Sequence, residues 1–183
     1  MRKPIAVVIN WYGPYTYKKA IAAAKRDFDD GIYVALGRQP FEKKDKFQYI
    51  GIANNLHDRL LKPRDLYDIL SQKCILWLGE SATTGIPGKR IGNINPALDL
   101  AEWAHIFFLK PPLNDRKSHN PPKSGITVVN RWLHPDYETR YKRRPHPDWP
   151  DLIDYWGYEY GARLVRLNRT LGRIEKVSPE ELE

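Results

Sequence analysis

The sequence predicts an α+β fold, and three observations carry that reading. Residues 31–36 and 47–52 each alternate with a period of two, as half-buried strands do. Between them, residues 37–46 combine Gly37 and Pro40 with a run of charges, the composition of a solvated hairpin loop. Residues 96–109 are apolar over a length that suits a helix rather than a strand.

The hairpin is the most informative element. In its first run Ile32, Val34 and Leu36 share one face, and Gly31, Tyr33 and Ala35 the other. In its second run Ile50 and Ile52 oppose Phe47, Tyr49 and Gly51. Pairing the runs buries the aliphatic faces together and points both tyrosines the same way, over ground left open by Gly31 and Gly51. Upstream, residues 5–10 read as a strand and residues 17–28, with Ala22, Ala23 and Ala24, as a helix. Residues 1–28 are therefore expected to dock as an added layer on a core spanning 29–115. Asn54 is the expected N-cap of a short helix running to Leu61, with Pro63 ending it. Residues 65–72 are expected to be helical, 73–78 to form a third strand, and 81–93 to form a loop.

The helix at 96–109 has a cap at Asn95 and Pro96 in its first position. Only Asp99, Glu102 and His105 interrupt its apolar character, three apart on one stripe. Such a helix must be buried on most sides. His105 reads either as a satisfied core histidine or as a neighbour of a metal.

Composition points to a polyanionic partner. The 183 residues carry a formal net charge of +8 and a pI near 9.5. Between Arg116 and Pro150, eight Lys or Arg stand against three acids, a surplus of five. Trp132, Tyr137, Tyr141 and Trp149 interleave with these cations, a mixture suited to phosphate contact and base stacking. Residues 116–183 are thus expected to form a basic, aromatic C-terminal extension for DNA contact. Arg140, Lys142, Arg143, Arg144, Trp132 and Trp149 would act there, supplemented by Arg38, Lys43, Lys44, Lys89 and Arg90. The bland alternative is a solvated, proline-rich connector. The single cysteine, Cys74, lies in an apolar run and reads as a buried hydrophobe. The apolar stretch 5–10 is too short for a signal sequence or a membrane span, so a cytoplasmic protein is expected. His134-Pro135-Asp136 and His146-Pro147-Asp148, with His119 and Asn120, lack regular ligand spacing and argue against a second metal site.

Five elements, in order, resemble a known family. Gly31-Ile32-Tyr33 and Tyr49-Ile50-Gly51 look like the paired strands that name the GIY-YIG endonucleases. Residues 52–60 resemble that family's strand-to-helix step, ending at Arg59, and 101–114 its glutamate-bearing helix and closing asparagine, Glu102 and Asn114. The resemblance covers residues 29–114. It departs from the family in a longer loop between the tyrosines and in Pro63, which stands where many members place a histidine or tyrosine.

The resemblance implies a small three-stranded antiparallel sheet flanked by helices, and a stand-alone phage, mobile-element or restriction-type member. It further implies hydrolysis of double-stranded DNA with one Mg2+, or Mn2+, on Glu102. Arg59 would neutralise the scissile phosphate, Tyr33 would be the general base, Tyr49 would orient the water or phosphate, and Asn114 would brace the site. No small organic cofactor is implied. The rivals are an inactive nucleic-acid-binding module of the same fold, motivated by Pro63, and an RNA-binding accessory protein.

Overall fold

A computed structural model of the protein describes residues 5–63, 66, 74–82, 96–167 and 172–182. One mixed sheet of eight strands organises them. The strands are β1 (Ile5–Thr16), β2 (Gly31–Gly37), β3 (Lys46–Ala53), β4 (Ile75–Ser81), β5 (Ile126–Leu133), β6 (Leu152–Tyr155), β7 (Ala162–Arg166) and β8 (Arg173–Val177). Their order across the sheet is β3-β2-β4-β1-β5-β6-β7-β8, and every neighbouring pair is antiparallel except β1 with β5. The α+β class stands, whereas the small three-stranded sheet does not. The physical reason lies in β1: it hydrogen-bonds β4 on one side and β5 on the other, joining the hairpin half of the sheet to the C-terminal half. Residues 1–28 are therefore no outer layer, and the strands after residue 116 are part of the sheet rather than an appendage.

Among the described residues, three α-helices cover the faces: α1 (Tyr17–Asp27), α2 (Leu56–Leu61) and α3 (Pro96–Leu109). Alternation along β2 sends Ile32, Val34 and Leu36 to the α3 side and Tyr33 and Ala35 to the α1/α2 side. Along β3 the alternation breaks. A bulge at Gln48 sets Phe47 against Leu36 and Tyr49 against Ala35, so Phe47 joins the α3 side with Ile50 while Tyr49 stays with Tyr33. Gln48 is fully buried and satisfied, donating to the Gly37 carbonyl at 3.0 Å. The N-cap of α2 is Asn55, one residue later than expected, whose side chain accepts from the Asp58 amide at 2.9 Å. The expected cap Asn95, most of the expected helix at 65–72 and the loop residues Lys89 and Arg90 lie outside the described residues.

On the α3 side the core is aromatic. Trp149 is completely buried and touches Trp11, Trp77, Trp132 and Phe47 edge-on, with ring centroids 4.4 to 6.1 Å apart. Trp132 and Trp149 are therefore core indoles, not base-stacking groups, because their faces are spent on one another and on β1 and β4. Among the described residues, no helix is long and apolar enough to cross a membrane.

His105 sits in the same layer, fully buried edge-on to Trp11. Its Nδ1 lies 2.7 Å from the Ala101 carbonyl and its Nε2 3.0 Å from Asn130 Oδ1, which also accepts from Trp11 Nε1 at 2.8 Å. It is a core histidine rather than a metal neighbour. Burial pushes its pKa from 6.5 down to about 4, against the pull of its two oxygen partners. The unfolded imidazole binds its proton at higher pH than the folded one, so stability is complete above pH 6.5 and falls as pH drops towards 4. The loss from this one group approaches about 3 kcal/mol at the acid end. Denaturant titrations between pH 7 and 4 should show this slope, and His105→Phe should flatten it; an unchanged slope in that variant would assign the acid lability elsewhere.

Candidate active site at the edge of the sheet

Tyr33, Tyr49 and Gly51 lie together because β2 and β3 are in register, Tyr33 opposite Gly51 and Ala35 opposite Tyr49. The two phenol rings are 5.7 Å apart and tilted by 33°. Gly51 makes this possible: a Cβ there would lie 2.7 Å from Tyr49 Cε1 and 3.0 Å from Tyr33 Cε1 and Cζ. Gly31 has a different task, since a Cβ on it would stand 2.8 Å from the Gly79 carbonyl of β4. Tyr33 is almost wholly buried, whereas Tyr49 is half-buried. On the same face α2 presents Arg59, which donates from Nη2 to the Tyr49 hydroxyl at 3.0 Å. Pro63, buried at the end of this segment, brings no titratable group.

The other half of the site forms along the outer edge of β3, which has no strand beside it among the described residues. The Asn114 side chain takes the place of one, accepting from the Ile50 amide and donating to the Ile50 carbonyl, both at 2.8 Å. Leu113 donates its amide to the Gln48 carbonyl at 3.0 Å. Two residues further along, Glu102 reaches the edge from α3, where the Ile52 amide favours its charged form. Glu102 is only 8% exposed.

Sequence reasoning missed Lys117. Its Nζ lies 2.6 Å from Glu102 Oε2 and 2.6 Å from Asp99 Oδ1, bridging two carboxylates one helical turn apart. Burial pushes the Glu102 carboxyl up and Lys117 pulls it back, with the net direction up. For Lys117, burial works against the ammonium, but the hydrogen bonds and charges of Asp99 and Glu102 outweigh it and raise its pKa. Lys117 adopts φ of +67°, left-handed backbone uncommon for a side-chain-bearing residue. No spacing in the sequence signals this pairing, because it depends on how the chain turns after α3.

The remaining expected residues scatter. Arg38, Lys43 and Lys44 sit in the β2–β3 loop, Arg38 pairing loosely with Asp45 at 3.5 Å and the two lysines exposed. Phe41, at that loop's tip with φ of +73°, is fully exposed. Arg140, Lys142 and Arg143 are exposed beyond β5. Arg144 is not available as a phosphate contact: it is half-buried and tied to the Pro147 carbonyl at 3.1 Å and to Asp151 Oδ2 at 3.3 Å. Cys74 is half-buried, and burial pushes its thiol up to about 11. Among the described residues, no three His, Cys, Asp or Glu side chains gather into a group that could hold a metal ion.

Tyr33, Tyr49 and Arg59 thus gather on the α1/α2 face of residues 49–52, and Glu102, from α3, and Asn114 meet the same segment at its outer edge. No protein-family model, curated protein or solved structure matches the chain.

Gly51→Ala isolates the role of that geometry. The new methyl must displace both phenol rings while leaving the backbone register of β2 and β3 in place. The variant should fold, with a stability loss of about 1 to 3 kcal/mol from overpacking. Its tyrosine ultraviolet absorption spectrum should change on rearrangement of the pair; an unaltered spectrum would show that the rings do not depend on the glycine.

Proposed function

We propose that the protein is a metal-dependent DNA endonuclease of the GIY-YIG kind, hydrolysing phosphodiester bonds at the edge of β3. The observation that carries this reading is the convergence of two phenols, one arginine, one buried carboxylate and one amide on residues 49–52. A solvating surface has no need to bury Glu102 or to stack Tyr33 against Tyr49. Phosphodiester hydrolysis needs a base for water, positive charge for the phosphorane-like state and a held phosphate, and these residue types supply all three.

Arg59 presents a planar, permanently charged fork suited to phosphate oxygens. The same guanidinium donates to the Tyr49 hydroxyl. A free phenol has a pKa of about 10, so a phenol base needs cations nearby. Exposure exchanges the two roles expected from the resemblance: Tyr49, half-buried and in reach of water, takes its proton, and Tyr33, buried beneath it, fixes its ring. Asn114 keeps the strand edge in place beneath the reacting groups.

Asp99 and Glu102 fit one hard divalent cation such as Mg2+ or Mn2+, which takes one or two carboxylates and keeps several waters. The Lys117 ammonium already marks a cation position between them. A bound divalent ion would supply Lewis acidity and charge stabilisation at the scissile phosphate. Lys117 must then withdraw, towards a phosphate oxygen of the DNA. Exposed Arg38, Lys43, Lys44, Arg140, Lys142 and Arg143 support a polyanionic substrate, and Phe41 at the hairpin tip is shaped as a wedge between base pairs. A nucleic-acid substrate and a lone cysteine support a cytoplasmic location.

One observation favours a second reading. If Lys117 never leaves Glu102, the site is plugged and the protein is an inactive binding module. Mn2+ titration followed by electron paramagnetic resonance separates the two. Removal of the competing ammonium in Lys117→Met should tighten Mn2+ binding about 10- to 100-fold, the equivalent of one charge-assisted hydrogen bond. Glu102→Gln should abolish Mn2+ binding and cleavage while leaving folding and DNA affinity intact. Near-normal cleavage by Glu102→Gln would remove that residue from the mechanism, and absence of Mn2+ binding in both wild type and Lys117→Met would favour the module.

The tyrosine assignment has its own test. Tyr49→Phe should lose more of the cleavage rate than Tyr33→Phe, by the 10²- to 10⁴-fold, roughly, typical of losing a general base. The reverse order would restore Tyr33 as the base. Arg59→Lys keeps the charge but not the fork, so single-turnover rate should fall far more than DNA affinity.

A further inference from the structure

A cleft of about 690 Å³ opens between α3 and the β6–β7 connection, in the other half of the sheet from β3. Trp103, Trp156, Tyr158 and Tyr160 provide its aromatic surfaces, with Tyr155 beneath. A second cleft of about 350 Å³ lies against Trp156 and Tyr160, so these two residues line both hollows. Trp156 is 55% and Tyr160 65% exposed, more than packing alone explains for side chains of this size.

The rings are held in place. Trp156 Nε1 donates to Asp154 Oδ1 at 2.7 Å, and Trp103 Nε1 donates to the Asn120 carbonyl at 2.7 Å. Asp154 is itself fixed, accepting from Thr127 at 2.7 Å. The turn bearing Tyr158 and Tyr160 is bounded by Gly157 and Gly161, at φ of +111° and +67°. A Cβ on Gly161 would collide with the Val177 carbonyl. Anchored indole edges with open faces are a preorganised stacking surface.

Cations rim the same space. Lys117 Nζ and Lys123 Nζ lie 5.8 and 6.0 Å from the Trp103 ring centroid, and Arg163 borders the second cleft. Glu159 is the acid of the larger cleft. Lys117, which bridges Asp99 and Glu102, lies against Trp103 outside the lining of either cleft.

We infer that this cleft receives an unpaired nucleobase of a nucleic acid whose phosphate lies at Lys123. A nucleotide is the ligand that answers both features at once, a flat ring for the anchored aromatics and an anion for Lys123 and Arg163; a proline-rich peptide would use the rings but not the charges. The site rests on the nucleic-acid reading above and refines it: the substrate carries a displaced or single-stranded nucleotide.

The test is binding in EDTA of a single-stranded oligonucleotide carrying 2-aminopurine, whose fluorescence is quenched on stacking. The wild-type protein should quench it, a readout that needs no variant. Trp156→Ala and Tyr160→Ala, both at exposed positions, should each weaken single-strand binding about 5- to 150-fold, the range for losing one stacked base. Affinity for the fully paired duplex should be unchanged. Single-strand affinity equal to wild type in both variants would overturn the proposal, as would binding of a proline-rich peptide that displaces no oligonucleotide but perturbs Trp156 fluorescence. Glu102→Gln protein must still quench: a protein that quenches but never cleaves keeps the cleft and loses the nuclease, and one that binds neither strand form loses both.

Discussion

The open edge of β3 is the constraint on which the site depends. A strand at the end of a sheet presents amide and carbonyl groups that need partners, and an unpartnered buried polar group costs about 1 to 3 kcal/mol. Here Ile50 is satisfied on both counts by the Asn114 side chain, and the Ile52 amide favours the charged form of the Glu102 carboxylate. Asn114 thus closes the strand edge, and Lys117 holds Glu102 in place.

Charge balance follows from that placement. A carboxylate buried on an apolar helix requires a counter-ion, and Lys117 supplies one through a strained backbone turn. The cost of that turn is repaid by two ion pairs, and the arrangement leaves a site whose resting cation belongs to the chain.

Much of the hairpin was legible because its signals are local: period-two alternation, paired glycines and a solvated loop. The bulge at Gln48 escaped notice, since one extra residue leaves the composition unchanged while moving Phe47 to the opposite face. The sheet's extent was not legible either. β1 and β5 pair in parallel across more than a hundred residues, and no local pattern names that partner. A signal for β5 itself was present: Ile126, Val128, Asn130 and Trp132 alternate as buried positions, yet the surrounding cations drew residues 116–150 into a surface reading. The interleaved tryptophans had a structural explanation, the buried cluster around Trp149. Of the residues expected at the site, those carried by the hairpin, α2 and the end of α3 converge, whereas Trp132, Trp149 and Arg144 belong to the architecture.

The most direct measurement is nicking of supercoiled plasmid by the wild-type protein, with Mg2+ or Mn2+ and with EDTA, read as conversion to open circles. An active site at the edge of β3 predicts open circles with the divalent ion and none with EDTA. Intact supercoiled DNA under both conditions, with a protein shown by circular dichroism to be folded, would contradict it.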